Sequence, residues 1–145
     1  MTILLVPGHY ATIEAALLDA VSGDTIDLAA DYGPETVDIT VSGVTIHGPS
    51  SVQGIELFID TGVTGLVLTG DAPINVTDTE SGDIINGNDG ANTITVTGGV
   101  DTVNGGLGID RLVVDYSSSI AAITGTGASI DSGVGTVTIL GFEHY

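Results

Sequence analysis

The chain has 145 residues, which suits a single domain with one core. It carries 19 acidic side chains and one basic side chain, Arg111, giving a formal net charge of −18, so nucleic acid and anionic membrane surfaces are unfavourable partners. A hydrophobic content of 42% excludes a disordered acidic tail, and the lack of cysteine excludes disulfides and thiolate metal sites.

The N-terminal part predicts a short apolar segment followed by one helix. Ile3–Val6 is too short for a membrane span or for the core of a signal peptide, so we expect no membrane insertion. Residues 12–22 predict an amphipathic helix of about three turns. Thr12 is its expected N-cap, and Gly23 is its expected end. The face predicted to be buried carries Ile13, Ala16, Leu17, Ala20 and Val21.

Beyond Gly23 the sequence predicts many very short strands, each ended by Gly, Asp, Asn or Pro. Such strands are too short for an ordinary β-sandwich. Ile26, Ile46 and Leu66 recur every 20 residues, which predicts the stacked coils of a parallel β-helix. An open coil exposes unpaired backbone and apolar side chains, so the helix at 12–22 is expected to cap the N-terminal end.

The predicted helix and the strand that follows it also resemble a segment of a known protein family. The segment from Thr12 to Leu28, with Ala-Ala-Leu ahead of Gly23-Asp24-Thr25-Ile26-Asp27-Leu28, resembles the opening of pectate-lyase-like right-handed β-helices. The resemblance covers roughly residues 1–75, and it implies a right-handed coil for this part of the chain.

From about residue 78 the repeat shortens to nine residues. Residues 87–95 and 105–113 both fit the pattern Gly-[Gly/Asn]-x-Gly-x-[Asp/Asn]-x-apolar-x. Residues 96–104 keep the frame with Gly99, Asp101 and Val103, and residues 78–86 keep only the Asp and the apolar residue. Glycine permits tight turns that leave carbonyl oxygens free, and the sixth position supplies a carboxylate. An all-oxygen ligand set of this kind favours Ca²⁺.

These nonapeptides resemble the RTX, or haemolysin-type, calcium-binding repeat. In that family two nonapeptides form one 18-residue turn of a β-roll, which implies that sixth-position residues 18 apart stack. The resemblance therefore implies about two Ca²⁺ sites, one at Asp83 and Asp101 and a better one at Asn92 and Asp110. The candidate metal-binding residues are Asp83, Gly87, Asp89, Gly90, Asn92, Asp101, Gly105, Gly106, Gly108 and Asp110.

Together these patterns predict an all-β, right-handed parallel β-helix with an N-terminal helical cap, continuing into an RTX-type β-roll. The expected organisation is one solenoid domain over 1–145, with a strand and capping helix (1–24), β-helix coils (25–77), calcium-binding repeats (78–114) and C-terminal coils or a spacer (115–145). Large RTX proteins often have a spacer similar to the last part, ending in a segment like Gly141–Tyr145. We therefore expect a piece of a longer protein.

The predicted function is a non-catalytic calcium-binding module that folds when Ca²⁺ binds. The RTX resemblance implies type I export of an unfolded chain, and hence a secreted or cell-surface protein. Two alternatives stay open: a structural or adhesive β-helix whose calcium is incidental, and a remnant polysaccharide lyase or epimerase. Catalysis on uronates needs cations near the substrate, and Arg111 alone is available. Possible partners besides calcium are a second copy, end to end, or a polysaccharide or cell surface.

Two further patterns carry little weight. His9, His47 and His144 lack the spacing of metal ligands. Thr93 and Thr95 form an alternating row of the kind found on ice-binding solenoids, but threonine is common in strands and the neighbouring repeats do not continue the row.

Overall fold

A computed structural model describes residues 1–79, 81–115, 124–126, 129–131 and 136–142. Much of the predicted spacer, including 116–123, and the final residues Glu143, His144 and Tyr145 lie outside the described residues. The elements are β1 (Ile3–Val6), α1 (Ile13–Leu17), β2 (Thr25–Leu28), β3 (Glu35–Ile39), β4 (Val44–Gly48), β5 (Ile55–Ile59), β6 (Gly65–Gly70), β7 (Ile74–Thr77), β8 (Ile84–Asn86), β9 (Thr93–Val96), β10 (Val100–Asn104), β11 (Arg111–Val114), β12 (Thr124–Thr126), β13 (Ser129–Asp131) and β14 (Thr136–Leu140).

The strands form a β-solenoid of about six turns, built from two sheets. Sheet A has the order β1-β2-β4-β6-β8-β10-β14-β13-β12, and sheet B has the order β11-β9-β7-β5-β3. All pairs are parallel except β14–β13 and β13–β12. The predicted all-β parallel architecture is confirmed at this level. Among the described residues, no helix is long and apolar enough to span a membrane.

The length of the solenoid coil decreases along the chain. Paired residues of sheet A are 22 apart between β1 and β2, 20 apart between β2 and β4, and 22 apart between β4 and β6. They are then 19 apart between β6 and β8 and 18 apart between β8 and β10. The predicted 20-residue period therefore holds for Ile26 and Ile46 but not beyond, because Ile46 pairs with Leu68 rather than Leu66. A shift of two residues keeps the same face inward.

The core consists of aliphatic ladders between the two sheets. In sheet A, Ile26, Ile46 and Leu68 stack in register, and each is at most 2% exposed. Each fully buried aliphatic side chain stabilises the fold by about 1.5–3 kcal/mol relative to an exposed one. In sheet B the corresponding ladder carries Val37, Leu57, Val76 and Ile94.

Helix α1 is shorter than the sequence indicated. Thr12 is its N-cap, as expected, and its Oγ1 accepts a hydrogen bond from the Ala15 backbone N–H at 3.1 Å. The helix ends at Leu17 instead of reaching residue 22, and Val21 is 62% exposed rather than buried. Beyond the helix, the backbone N–H of Val21 donates to Asp24 Oδ2 at 3.1 Å.

Helix α1 packs against β1 and β3 at the N-terminal end of the solenoid. Its first backbone N–H groups are satisfied by a side chain from the next part of the chain. The Glu35 carboxylate accepts hydrogen bonds from Ile13 N at 3.1 Å and Glu14 N at 3.3 Å, and from the Tyr32 hydroxyl. A carboxylate at this end also interacts favourably with the helix dipole. Glu35 thus fixes α1 to the first strand of sheet B.

Replacing Glu35 with alanine should lower the free energy of unfolding by about 1–2 kcal/mol, because it leaves the first N–H groups of α1 without an acceptor. Urea unfolding followed by circular dichroism measures this loss. Asp38→Ala is the control, since Asp38 lies exposed on the same strand and its loss should change stability by less than about 0.5 kcal/mol. Equal losses in the two variants would contradict the capping role.

Candidate metal centre

The two sheets meet at two corners in the C-terminal part of the solenoid. The Asp78 corner, described over residues 78–79, 81–83 and 97–101, lies where the chain passes from sheet B back to sheet A. The Asn88 corner, residues 87–92 and 105–110, carries it from sheet A to sheet B. The sequence predicted metal ligands at both corners and favoured the Asn88 corner.

Three carboxylates converge at the Asp78 corner. Asp78 follows β7, Asp83 precedes β8, and Asp101 lies one coil later in β10. One carboxylate oxygen from each lies within 4.8 Å of the others, and their side chains are 4%, 1% and 1% exposed. No other group of three such residues occurs within the described part of the chain.

Each of these carboxylates has one oxygen in a hydrogen bond and one without a partner. The Thr97 backbone N–H donates to Asp78 Oδ1 at 2.7 Å, and the Asp83 backbone N–H donates to Asp101 Oδ1 at 3.0 Å. The Ser81 hydroxyl donates to Asp83 Oδ2 at 3.2 Å. The remaining oxygens, Asp78 Oδ2, Asp83 Oδ1 and Asp101 Oδ2, are buried with no hydrogen-bond partner. Buried acceptors left in this state are costly, so their presence calls for a ligand.

Burial makes the charged forms of these acids unfavourable. Burial raises the pKa of Asp78 to about 8, and the neighbouring carboxylates of Asp101 and Asp83 add to the effect. Burial likewise raises the pKa of Asp101 to about 6, although the hydrogen bond from the Asp83 backbone N–H opposes this, and burial raises the pKa of Asp83. Without a cation, the group must therefore retain protons in the range where ordinary aspartates are ionised.

The chain has almost no positive charge with which to neutralise this corner. Its single basic side chain, Arg111, is exposed on β11. An ion pair joins the N-terminal ammonium to Asp24, at 3.7 Å and far from this corner in the sequence. A surface cavity of about 590 Å³ opens at the Asp78 corner. It is lined by Thr61, Asp78, Thr79, Ser81 and Thr97, so of the three acids Asp78 is the one that borders it.

The Asn88 corner is closed by amide hydrogen bonds. The Asn92 backbone N–H donates to Asp110 Oδ1 at 2.9 Å, so the structure brings this predicted pair together. However, Asn92 also accepts from Asn88 N and donates from Nδ2 to Ile74 O. Asn88 in turn donates from Nδ2 to Ala72 O. These bonds satisfy both amides with protein partners.

The predicted ligand Asp89 is exposed at the same corner. The predicted glycines there have two different roles. Gly106 has a φ of +97°, which favours glycine, as predicted for the second position of the repeat. Gly87 does not have a positive φ, and its role is close packing, because a Cβ atom would lie 2.1 Å from the Gly105 carbonyl oxygen. The other predicted glycines lie in the same stacked turns: Gly90, Gly105 and Gly108.

Sequence reasoning paired Asp83 with Asp101 but missed Asp78. In the nine-residue frame Asp78 occupies the first position, where the pattern expects glycine, and so it counted as a departure from the repeat. The available signal was the pair of acids five residues apart on one turn, Asp78 and Asp83, with Asp101 following one 18-residue coil later. Asn88, which ties its corner to the preceding coil, was also missed.

The threonine row does not extend into an array. Thr95 pairs with Thr77, but its other neighbour is Val113. Thr93 pairs with Arg111 on one side. On the other side its backbone N–H donates a hydrogen bond to Asn75 Oδ1. The outer face of sheet B therefore lacks the continuous threonine surface of an ice-binding solenoid.

No protein-family model, curated protein or solved structure matches this chain. The function of the chain is therefore inferred from the geometry of the Asp78 corner and from the residues that build it.

Proposed function

We propose that this chain is a calcium-binding β-solenoid module, in which one Ca²⁺ ion at Asp78, Asp83 and Asp101 joins consecutive coils. The observation that carries the proposal is the set of three buried carboxylate oxygens without hydrogen-bond partners, close enough together to share one ion. Oxygen ligands of Ca²⁺ lie about 2.3–2.6 Å from the ion. The three acids would lose their protons and hold the ion between the coils.

The chemistry of the corner favours Ca²⁺ among common metals. The chain has no cysteine, and the available groups are carboxylates, hydroxyls and backbone carbonyls. Such hard oxygen donors suit Ca²⁺ or Mg²⁺ and not the softer transition metals. Mg²⁺ needs near-octahedral geometry at about 2.0–2.1 Å and gives up its water reluctantly, so three fixed carboxylates from two coils suit the larger ion better.

The proposal also covers the type of solenoid, its N-terminal cap and its location. Its nonapeptides support an RTX-type β-roll, and the contacts of α1 with β1 and β3 support a helical cap at the N-terminal end. A non-catalytic, secreted or cell-surface module exported by a type I route would meet high calcium only outside the cell. The geometry supports one Ca²⁺ ion per chain, whereas the sequence suggested about two.

Titration of EDTA-stripped protein with CaCl₂ and with MgCl₂, followed by calorimetry, tests the proposal. We expect one saturable Ca²⁺ ion per chain and markedly weaker Mg²⁺ binding. Circular dichroism with and without EGTA then separates a folding role from incidental calcium, since a structural segment with incidental calcium would give the same spectrum in both. Absence of any Ca²⁺ binding would remove the proposal.

A further inference from the structure

Buried acids in the two halves of the solenoid are neutralised in different ways. Asp24, at the start of the first full coil, is 3% exposed. Its carboxylate accepts hydrogen bonds from Thr2 N and Val21 N and lies 3.7 Å from the N-terminal ammonium. The backbone donors hold the pKa of Asp24 below its ordinary value. Protein groups therefore provide the hydrogen bonds and the positive charge that this carboxylate needs, whereas the carboxylates of the Asp78 corner lack them.

The other buried polar groups of residues 1–77 are also satisfied by protein partners. Every buried side-chain nitrogen or oxygen in this range has a hydrogen-bond partner, since the buried atoms without one begin at Asp78. Helix α1 packs against β3, the last strand of sheet B at the N-terminal end. The aliphatic ladders of both sheets are already continuous across β2 to β7. Nothing within these coils requires an ion.

The coils that follow are joined by hydrogen bonds at both corners, but only the Asp78 corner also buries carboxylate oxygens of three neighbouring acids that lack partners. At the Asn88 corner, the Asn88 and Asn92 side chains donate to Ala72 O and Ile74 O, so the chain after β8 is bonded to the preceding coil without an ion. At the Asp78 corner, β10 places Asp101 against Asp83 with three partnerless oxygens between the coils. Closing this corner brings three carboxylates together, which is unfavourable without a cation or protons.

We propose that the cation governs only part of the fold: residues 1–77 form a cation-independent template, and one ion at the Asp78 corner controls the docking of β8, β10 and β11 onto it. This inference rests on the proposed function and adds its regulation. The ion acts as a switch for the C-terminal coils, because it joins Asp78 and Asp83 of one coil to Asp101 of the next. At the Asn88 corner, hydrogen bonds from the Asn88 and Asn92 side chains join the same coils without an ion.

Hydrogen–deuterium exchange with mass spectrometry on the full chain, in EDTA and in CaCl₂, tests this division. We expect exchange in β8, β10 and β11 to slow by up to about 100-fold when Ca²⁺ reaches about 100 times its Kd. Peptides covering β2 to β5 should already be protected in EDTA, and their exchange should change by less than about twofold. At the same CaCl₂ concentration, where its weaker site is only about half occupied, Asp101→Asn should show no more than about a twofold slowing of β8, β10 and β11 relative to the same variant in EDTA, with β2 to β5 still protected.

The outcomes separate this inference from the proposed function. If calorimetry shows no Ca²⁺ binding, the proposed function fails. If Ca²⁺ binds but all strands gain protection together, or β2 to β5 exchange freely in EDTA, the ion is needed by the whole fold and the template inference is wrong. If Ca²⁺ binds and no strand changes, the ion does not control docking, and the inference is wrong as well.

Discussion

Replacing Asp101 with asparagine is expected to weaken Ca²⁺ binding by about 100-fold or more, because Ca²⁺ affinity follows the number of charged ligands. The substitution keeps the size of the side chain and an oxygen that can accept the hydrogen bond from the Asp83 backbone N–H. It removes one of three negative charges from the buried group. Calorimetric titration of EDTA-stripped wild type and variant measures the change in Kd.

Asp110→Asn is the matched control. Asp110 occupies the same position of the repeat and accepts the same kind of hydrogen bond, from the Asn92 backbone N–H at 2.9 Å compared with 3.0 Å at Asp101. It is also buried, at 8% exposed. Because no group of three acids gathers around it among the described residues, its Kd for Ca²⁺ should change by less than about threefold. A larger loss for Asp110→Asn than for Asp101→Asn would instead favour the site that the sequence preferred, at Asn92 and Asp110.

Most of the fold could be predicted because a solenoid repeats a local pattern. In short strands such as Thr25–Leu28 and Thr93–Val96, polar and apolar residues alternate, so the sequence shows which side chains face inward. The interval between successive strands then gives the length of a coil. The details that failed depend on contacts that the pattern does not encode. The helix was overextended because its apolar pattern continues to Val21, whereas the Val21 backbone N–H donates to the side chain of Asp24, outside the helix. The pairing of Ile46 depends on a coil with two additional residues.

The candidate site could be predicted only in part, for a related reason. Asp83 and Asp101 share a repeat position, so their stacking follows from the period alone. Asp78 occupies a different repeat position, and the proximity of its carboxylate to the other two appears only in the folded coils. The Asn88 corner looked stronger because its glycines match the repeat. Its asparagines, however, bond to backbone carbonyls of the preceding coil, which a pattern of residue types does not distinguish from metal binding.

In the absence of Ca²⁺, the free energy of unfolding should decrease by several kcal/mol as the pH rises from about 4 to about 8. The pKa of Asp78 is raised to about 8 and that of Asp101 to about 6, whereas an unfolded aspartate has a pKa near 3.9. The folded state therefore holds protons that the unfolded state releases in this range. The stabilisation from these protons is complete below about pH 4 and is lost as the pH approaches 8. Asp24, whose pKa is lowered, contributes above about pH 4 and loses its contribution only below it.

Saturating Ca²⁺ should reverse this trend, because the ion binds the deprotonated carboxylates and its affinity increases as they lose protons. Urea unfolding in EDTA and in CaCl₂ across this pH range measures both slopes. Asp78→Asn separates the two effects, since it removes the group that must ionise: in EDTA near pH 8 the variant should be more stable than the wild type, while its Ca²⁺ binding is weakened. Asp71→Asn removes one charge from an exposed side chain and controls for net charge. If Asp71→Asn flattened the slope in EDTA as much as Asp78→Asn, general repulsion among the 19 acids, and not the buried corner, would explain the pH dependence.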